Sequence, residues 1–417
     1  MEMGNKLRGL SHFFITVFLS GFADWIVAPA ITDLTMQAVC PGQDQCPLAI
    51  YLSGFQQAVV GLGTLVMLPV IGNLSDKYGR KALLTVPMTL SIIPSGILAY
   101  SIETPYFYAY YVLKTLFGLV CEGSVVTLAH AYMADNVPEQ QRASAFGILA
   151  GVLSASLLCG TLAARFLSTT FTFQVATVAS IIGLAYMRIS LKEQVCDTGD
   201  NMLRPILKAG TDDIRNDPDA DHSPRTVPRF KNIPSIRDVI CLLRIRSLQY
   251  FLRARFHFNQ PQFAELMLIV AVAMAISQLL LMPALVSVIS EEKLLSLGLF
   301  MSFMHVLSSS IAWAVWVPYA SNILFAVFVG LVSPCIRSIA SKQVSPSSQG
   351  MAQGCMSGIE SFAQILSPLI FSPLTALFLS ENAPFYFPGF SLTCMSLTLM
   401  VAFIQSLFIK VAPPVEA

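Results

Sequence analysis

The chain has 417 residues, of which 55% are hydrophobic and only 12% are charged, and its formal net charge is +1 at pH 7. Soluble domains carry about 25% charged residues, whereas the mean hydropathy of this chain is +0.66. These values exclude an ordinary soluble protein and predict an all-α membrane protein that crosses the bilayer many times. They give no support for nucleic-acid binding, because the chain has neither a large positive charge nor a basic tract.

Eleven apolar stretches are long enough to cross a bilayer as a helix, which takes about 20 residues. The stretch nearest the N-terminus follows Lys6 and Arg8 and is too long for a signal-peptide core, so we expect it to be retained with the N-terminus inside. The predicted spans are 11–32, 48–72, 82–101, 105–133, 142–167, 170–190, 262–287, 293–313, 316–341, 350–379 and 386–410.

A long polar segment divides these spans into two sets. The predicted domains are an N-terminal six-helix bundle at 1–190, a central cytoplasmic loop at 191–260 and a C-terminal five-helix bundle at 261–417.

The two sets look related to each other. The stretch from Val137 to Gly147 can be laid over the stretch that begins at Val344, 207 positions later. Likewise, Pro69 and Pro283 end similar apolar stretches and are 214 positions apart. A duplication of this kind predicts two parallel-related helical bundles.

The most distinctive stretch lies between the second and third predicted spans, where Gly72 to Lys81 form a short basic loop. Basic residues in short loops mark the cytoplasmic side, so we expect Arg80 and Lys81 there. Gly72 and Gly79 permit tight turns and close helix approach. We expect Asp76 just past a helix end, within reach of basic groups and of a neighbouring helix N-terminus, where a carboxylate is favoured. Two readings stay open: the loop latches helices together, or it only anchors the chain to lipid headgroups.

This loop resembles the G-x-L-x-D-[RK]-x-G-[RK]-[RK] signature between helices 2 and 3 of the major facilitator superfamily, and every constrained position is filled. The resemblance implies the major facilitator fold, with two parallel-related bundles around a central site. The stretch from Asp135 to Arg142 resembles the D-x-x-p-x-x-x-R loop between helices 4 and 5 of that family. It implies that these two residues join Asp76 and Arg80 in a cytoplasmic gating network.

One helix of the duplicated pattern is missing. At an offset of 214 residues, the first span would recur near 225–246. That stretch carries many charges, and each costs at least about 2.5–3.5 kcal/mol at the centre of a membrane helix. Residues 250–258 resemble the exit of a seventh helix without the helix before it. We therefore expect about 11 spans, six plus five, with only a remnant of the seventh helix.

An odd number of spans conflicts with the charge distribution. Six spans put residue 191 inside and five more put the C-terminus outside, yet basic residues such as Lys293 and Lys342 fit the inside in the usual arrangement. Three explanations stay open: residues 236–260 cross the membrane, the second half is inverted, or the sequence is a shortened variant of a twelve-span parent. We favour the shortened variant.

Ionisable residues within predicted spans are functional candidates, and we single out Asp24, Lys114, Glu122 and Glu360. Asp24 is a candidate for proton binding, unless the span is shifted and it lies at the outer headgroups. Lys114, Gly118 and Glu122 follow one stripe of the fourth helix. The Lys-x-x-x-Gly order resembles a family R-x-x-x-G pattern linked to proton coupling, although an internal ion pair would explain Lys114 equally well. Glu360 is a coupling or substrate carboxylate, or a structural hydrogen-bond partner.

Other features bear on mechanism. The antiporter-type fifth-helix signature has a Gly-Pro pair and a closing Gly-Gly, and Gly160–Ala164 lacks both, which weakens the expectation of antiport.

No nucleotide-binding loop or His/Cys cluster with metal-ligand spacing occurs in the sequence, so we expect no cofactor or metal. Cys40 and Cys46 flank a short external loop, where a disulfide could persist.

Within the superfamily, the chain resembles the tetracycline-resistance-like branch and most of all the hippocampus-abundant-transcript-like proteins, including their plant members. The softer matches that carry this resemblance are Trp316–Ala320, Ser341–Val344 and Phe371–Leu377. It implies a secondary transporter, not an enzyme, that moves a small organic solute by alternating access with proton coupling. The expected partners are the solute, protons and the lipid bilayer, and the expected state is a monomeric multi-pass membrane protein. The alternative is a transport-deficient shortened variant that acts as a binding or regulatory protein.

Overall fold

The structure is a computed structural model that describes residues 10–39, 47–191, 256, 260–379, 384–385 and 387–409. Long apolar runs make all regular elements within these ranges helical, since a helix satisfies its own backbone hydrogen bonds. The α-helices are α1 (Ser11–Val39), α2 (Pro47–Tyr78), α3 (Arg80–Tyr100), α4 (Thr104–Cys121), α5 (Ser124–Asn136), α6 (Arg142–Phe166), α7 (Thr169–Ser190), α8 (Gln260–Ile276), α9 (Met282–Val286), α10 (Glu291–Ser310), α11 (Trp316–Val329), α12 (Val332–Lys342), α13 (Gln349–Leu379) and α14 (Phe390–Leu407).

These helices form eleven rods in the described part of the chain, six before residue 191 and five after residue 259. Three rods are broken inside, at the spans predicted for 105–133, 262–287 and 316–341, and each of these stretches is still long and apolar enough to cross a membrane. α4 and α5 are separated at Gly123, which adopts a φ of 73° that is favourable for glycine. α11 and α12 are separated at Gly330, and a π-helical turn joins α8 to α9.

Nine stretches within the described ranges are long and apolar enough to cross a membrane. The two further rods, α10 and α13, are 20 and 31 residues long. Large apolar side chains such as Phe55, Val66 and Ile181 are exposed on the protein surface, as expected where helices contact lipid tails.

Each set of helices has its own core. In the first set, α1 packs against α6 and α7, and α3 packs against α7. Phe13, Met133 and Phe146 are fully buried in this core. In the second set, α10 packs against α14 and α11. Leu392 and Met395 fill the space beside them.

The two sets contact each other at several helix pairs, and two of these crossings are related by the two sequence offsets. At the first crossing, Gly354 of α13 lies against Leu68 of α2, with no room for a Cβ atom. At the second, Gly147 of α6 lies against Met282 of α9 in the same way. These contacts are related by 207 positions for the glycines and 214 positions for their partners. The breaks at Gly123 and Gly330 are also 207 positions apart, so the two sets are parallel repeats of one unit.

The segment from Gly72 to Lys81 differs from the predicted loop. α2 continues through Tyr78 and α3 begins at Arg80, so only Gly79 lies outside a helix. Its φ of 91° is the left-handed conformation that glycine tolerates best. Asp76 therefore lies within the last turns of α2, and the expectation that it lies just past the helix end is wrong.

Some predictions fall outside the described residues. These are the disulfide between Cys40 and Cys46 and the remnant of a seventh helix within the central region 191–260, of which the structure describes only residues 191, 256 and 260.

Candidate functional site

The predicted gating residues of the first set of helices meet in one charge network. The Arg80 guanidinium is buried at the start of α3. It contacts Asp76 at 2.5 Å and Asp135, at the end of α5, at 2.8 Å. It also donates a hydrogen bond to the Ser75 hydroxyl. Charge-assisted bonds of this kind are the strong ones in proteins, so Arg80 ties α2, α3 and α5 together.

Asp76 also reaches across to the second set of helices. Its two carboxylate oxygens accept hydrogen bonds of 2.9 Å from the backbone amides of Gly350 and Met351. These amides are in the first turn of α13, where amide groups lack partners within the helix and the helix dipole favours negative charge. α2 and α13 can approach this closely because Gly72 and Gly350 have no Cβ atom, for which there would be no space between the two helices.

Arg142 makes a second link between the sets. Its Nη1 atom donates a 3.0 Å hydrogen bond to the carbonyl oxygen of Ser341, near the end of α12. It also lies 3.7 Å from Glu139 in its own set. Gln349, which is 207 positions after Arg142, donates a 2.9 Å hydrogen bond to the same Ser341 carbonyl. The predicted residue Lys81, by contrast, makes no ion pair within the described ranges.

Sequence reasoning missed the matching ion pair of the second set. Lys342 Nζ lies 2.7 Å from Glu291 Oε1, and Ser338 donates a 2.9 Å hydrogen bond to the other carboxylate oxygen. Lys342 is 207 positions after Asp135, so a cation stands where the first repeat has a carboxylate. The offset could have located Lys342, but Glu291 is 211 positions after Arg80 and fits neither offset.

The three ionisable candidates of the first set lie together. Lys114 Nζ is 3.4 Å from Glu122 Oε2, and Asp24 of α1 is close enough for both charges to act on it. Glu122 follows the last residue of α4 and does not extend the helical stripe, because the rod breaks at Gly123. The side chains of Asp24 and Glu122 are exposed, and that of Lys114 is half-buried.

Glu360 lies in the second set, paired with an arginine that the sequence reasoning did not select as a site residue. Arg337 Nη2 contacts both carboxylate oxygens of Glu360, at 2.8 and 2.6 Å. Arg337 also donates to Gln353 Oε1 at 3.1 Å and lies 3.4 Å from the Ser357 hydroxyl. An arginine inside a membrane span was the signal that could have found this cluster.

The chain is similar to known membrane transporters in sequence and in fold. Residues 13–209 match the family model described as the Major Facilitator Superfamily. The chain is 23% identical over 391 residues to hippocampus abundant transcript-like protein 1 of Bos taurus, covering 90% of this chain and 74% of the relative. It is 21% identical over 324 residues to the class C tetracycline resistance protein of Escherichia coli, covering 78% of this chain and 80% of that protein.

The fold is also similar to a solved structure, that of the human organic anion transporter MFSD10 (TETRAN). The TM-score is 0.75 with 16% sequence identity, and the match covers 96% of this chain and 99% of the other. The predicted fold class is confirmed, and the family and the proteins it resembles are transporters, not enzymes. Residues 13–209 therefore resemble the Major Facilitator Superfamily, and the chain is an integral, multi-pass membrane protein with the major facilitator fold.

Proposed function

We propose that this chain is a monomeric secondary transporter that moves a small organic solute across a lipid bilayer by alternating access, driven by proton movement. The observation that carries the proposal is the bridge made by Asp76. This carboxylate pairs with Arg80 of the first set and holds the first turn of α13 of the second. A contact of this kind closes one side of the molecule and must break when the two sets rock apart.

Opening of this side would separate two further contacts. Arg142 would leave the Ser341 carbonyl, and the glycine-mediated crossing of α2 and α13 would loosen. Each set would move as a rigid unit, because Arg80 with Asp135, and Lys342 with Glu291, hold helices within one set. The gating role predicted for Asp76, Arg80, Asp135 and Arg142 is consistent with this division of contacts.

Asp24 is the candidate for proton coupling. Lys114 is paired with Glu122, whereas Asp24 has no ion pair with the residues that the structure describes. A solvent-accessible carboxylate near one cation and one further carboxylate can take up and release a proton as the solute binds. The names of two similar proteins indicate solute classes worth testing first, namely tetracycline and organic anions.

The test is solute uptake into proteoliposomes that contain the full chain and a trapped pH-sensitive dye. Tetracycline and benzoate are supplied with and without an imposed pH gradient. We expect gradient-dependent uptake of at least one solute, which Asp24→Asn abolishes. Glu103→Gln, which neutralises an exposed carboxylate at the start of α4, is the matched control and should retain uptake. Uptake insensitive to the gradient would remove proton coupling, and absence of uptake of both solutes would contradict transport of these classes.

A second candidate function is binding or regulation by a transport-deficient variant. The specific observation is the charged stretch 225–246, which stands where the repeat calls for a membrane span. A repeat that lacks one helix would open the central cavity to lipid. Insertion of an apolar span near residue 247 tests this candidate, because gain of uptake would support it and equal uptake by both forms would reject it.

A further inference from the structure

The cluster around Arg337 differs from its counterpart in the other repeat. His130 is 207 positions before Arg337, and each lies seven residues after the break in its rod. His130 packs against Phe146, with ring centroids 5.6 Å apart, and binds the carbonyl of its own helix. Arg337 instead faces Gln353, which is 207 positions after Phe146. In the first repeat, His130 and Phe146 occupy these two positions without an ion pair. The packing of the fold therefore does not by itself require the ion pair of Arg337 and Glu360.

The Arg337 guanidinium donates hydrogen bonds to Gln353, Ser357 and Glu360, and Glu360 is the charged one of these three acceptors. The guanidinium and Gln353 are buried, at 4% and 0% exposed, and Ser357 is 7% exposed. Gln353 Oε1 accepts a hydrogen bond from Arg337. The Nε2 group of the same amide is therefore not part of that bond. This Nε2 donor has no hydrogen-bond partner in the part of the chain that the structure describes. A buried donor without an acceptor costs about 1–3 kcal/mol, and an incoming anion would satisfy it.

Glu360 supplies the only carboxylate that contacts Arg337 among the described residues, and it is less buried than the arginine. Its side chain is 20% exposed, whereas that of Arg337 is 5% exposed. Its carboxylate is therefore the more accessible partner of this ion pair and is the group that an incoming ligand would displace. The guanidinium would then be free for two parallel bonds to another carboxylate, the geometry that arginine favours.

We propose that Arg337, Gln353 and Ser357 form a binding site for the carboxylate of an organic anion, and that Glu360 fills this site as an internal ligand until the solute replaces it. The inference rests on the proposed function, since it names the substrate class of the transporter. The site lies on α12 and α13, and α13 also contacts α5 of the other set. Separation of the two sets at the Asp76 bridge would expose it.

The experiment measures equilibrium binding of radiolabelled benzoate to the purified full chain in detergent, with the neutral isostere benzamide as competitor. Glu360→Gln removes the internal ligand, so we expect benzoate to bind about tenfold more tightly than to the unmodified chain. Benzamide should not compete. Adding Arg337→Gln to Glu360→Gln should abolish the gain. Because only binding is measured, the result is independent of proton coupling and of transport.

A matched control separates the site from general charge. Glu291→Gln also removes a carboxylate from an ion pair of the second set and changes the net charge by the same amount. The proposal would be overturned if Glu360→Gln bound benzoate no more tightly than the unmodified chain. It would also be overturned if Glu291→Gln showed an equal increase in benzoate affinity. Should Glu360→Gln be poorly folded, Glu360→Ala is tested by its melting temperature. We expect formate, but not formamide, to raise it, and equal effects of the two would contradict the site.

Discussion

At the scale of single residues, Asp76 combines two roles that are usually separate. It forms an ion pair with Arg80 four residues later, and it caps the N-terminus of α13. Both partners are in place because only Gly79 interrupts the two helices that carry Asp76 and Arg80. A longer loop would hold the carboxylate less firmly, so the single-residue turn makes the bridge between the two sets rigid.

The ion pair of the second set leads to a prediction about stability. Glu291 is buried and holds Lys342 and Ser338, whereas the neighbouring Glu292 makes no ion pair within the described ranges. Hydrogen bonds to charged groups contribute about 1.5–3 kcal/mol. We expect Glu291→Gln to lower the melting temperature of the purified protein by several degrees and Glu292→Gln to leave it nearly unchanged. Equal melting temperatures for the two variants would show that the pair is not a stabilising contact.

At the scale of helices, the two crossings depend on glycines rather than on large interlocking side chains. Gly354 and Gly147 occupy equivalent places, and each meets a side chain or backbone atom where a Cβ would be. Helix association within membranes relies on this close approach, because lipid tails offer no hydrophobic driving force. The same glycines would let the helices slide when the contacts change.

Substitution of one of these glycines should separate a contact effect from helix propensity. A Cβ at Gly354 would overlap the backbone of Leu68, whereas a Cβ at Gly96 in α3 would meet only Thr177 at an ordinary 3.9 Å. Overpacking typically costs about 1–3 kcal/mol. We expect Gly354→Ala to lower the melting temperature and Gly96→Ala to leave it equal or slightly higher. A loss of the same size in both variants would contradict the tight crossing.

The sequence predicted which stretches are helical rods but not how the rods are interrupted. Long apolar runs indicate spans directly, and the offsets of 207 and 214 residues already relate the two repeats. The break at Gly330 and the π-helical turn at Ser277–Leu281 depend on neighbouring rods, since Gly330 packs against Ser277. The pairing of Arg337 with Glu360 also depends on how α12 lies against α13, which no local pattern reports.

At the scale of the whole molecule, the repeats share one architecture and differ in charge. Their crossings and breaks correspond, yet only the α2–α13 crossing carries a carboxylate bridge. The other crossing is lined mainly by apolar groups such as Ala143, Met282 and Leu295. The α2–α13 crossing therefore depends on a charged hydrogen-bonded contact, whereas the α6–α9 crossing depends mainly on apolar packing.

The basic residues near the Asp76 bridge predict which side of the molecule faces the cytoplasm. Lys77 is exposed at the end of α2, and basic residues at the ends of spans favour the cytoplasmic side. We expect a membrane-impermeant maleimide to label Lys77→Cys, in a chain with its native cysteines replaced by serine, in inside-out vesicles but not in intact cells. Labelling from outside intact cells would reverse the assignment of the sides.

The most direct test of the account is the distance between the two sets at the closed side. Lys77 and Ser347 are both exposed, and they lie in the first and the second set, respectively, near the α2–α13 crossing. Spin labels at Lys77→Cys and Ser347→Cys, in a chain whose native cysteines are replaced by serine, allow pulsed electron paramagnetic resonance to measure this distance. Removal of the bridge is worth about 2 kcal/mol or more, enough to change a two-state ratio by more than tenfold. We predict a short distance in the unmodified chain and a population shifted to a longer distance in Asp76→Asn. A single, unchanged distance in both proteins would contradict the claim that Asp76 holds the two sets together.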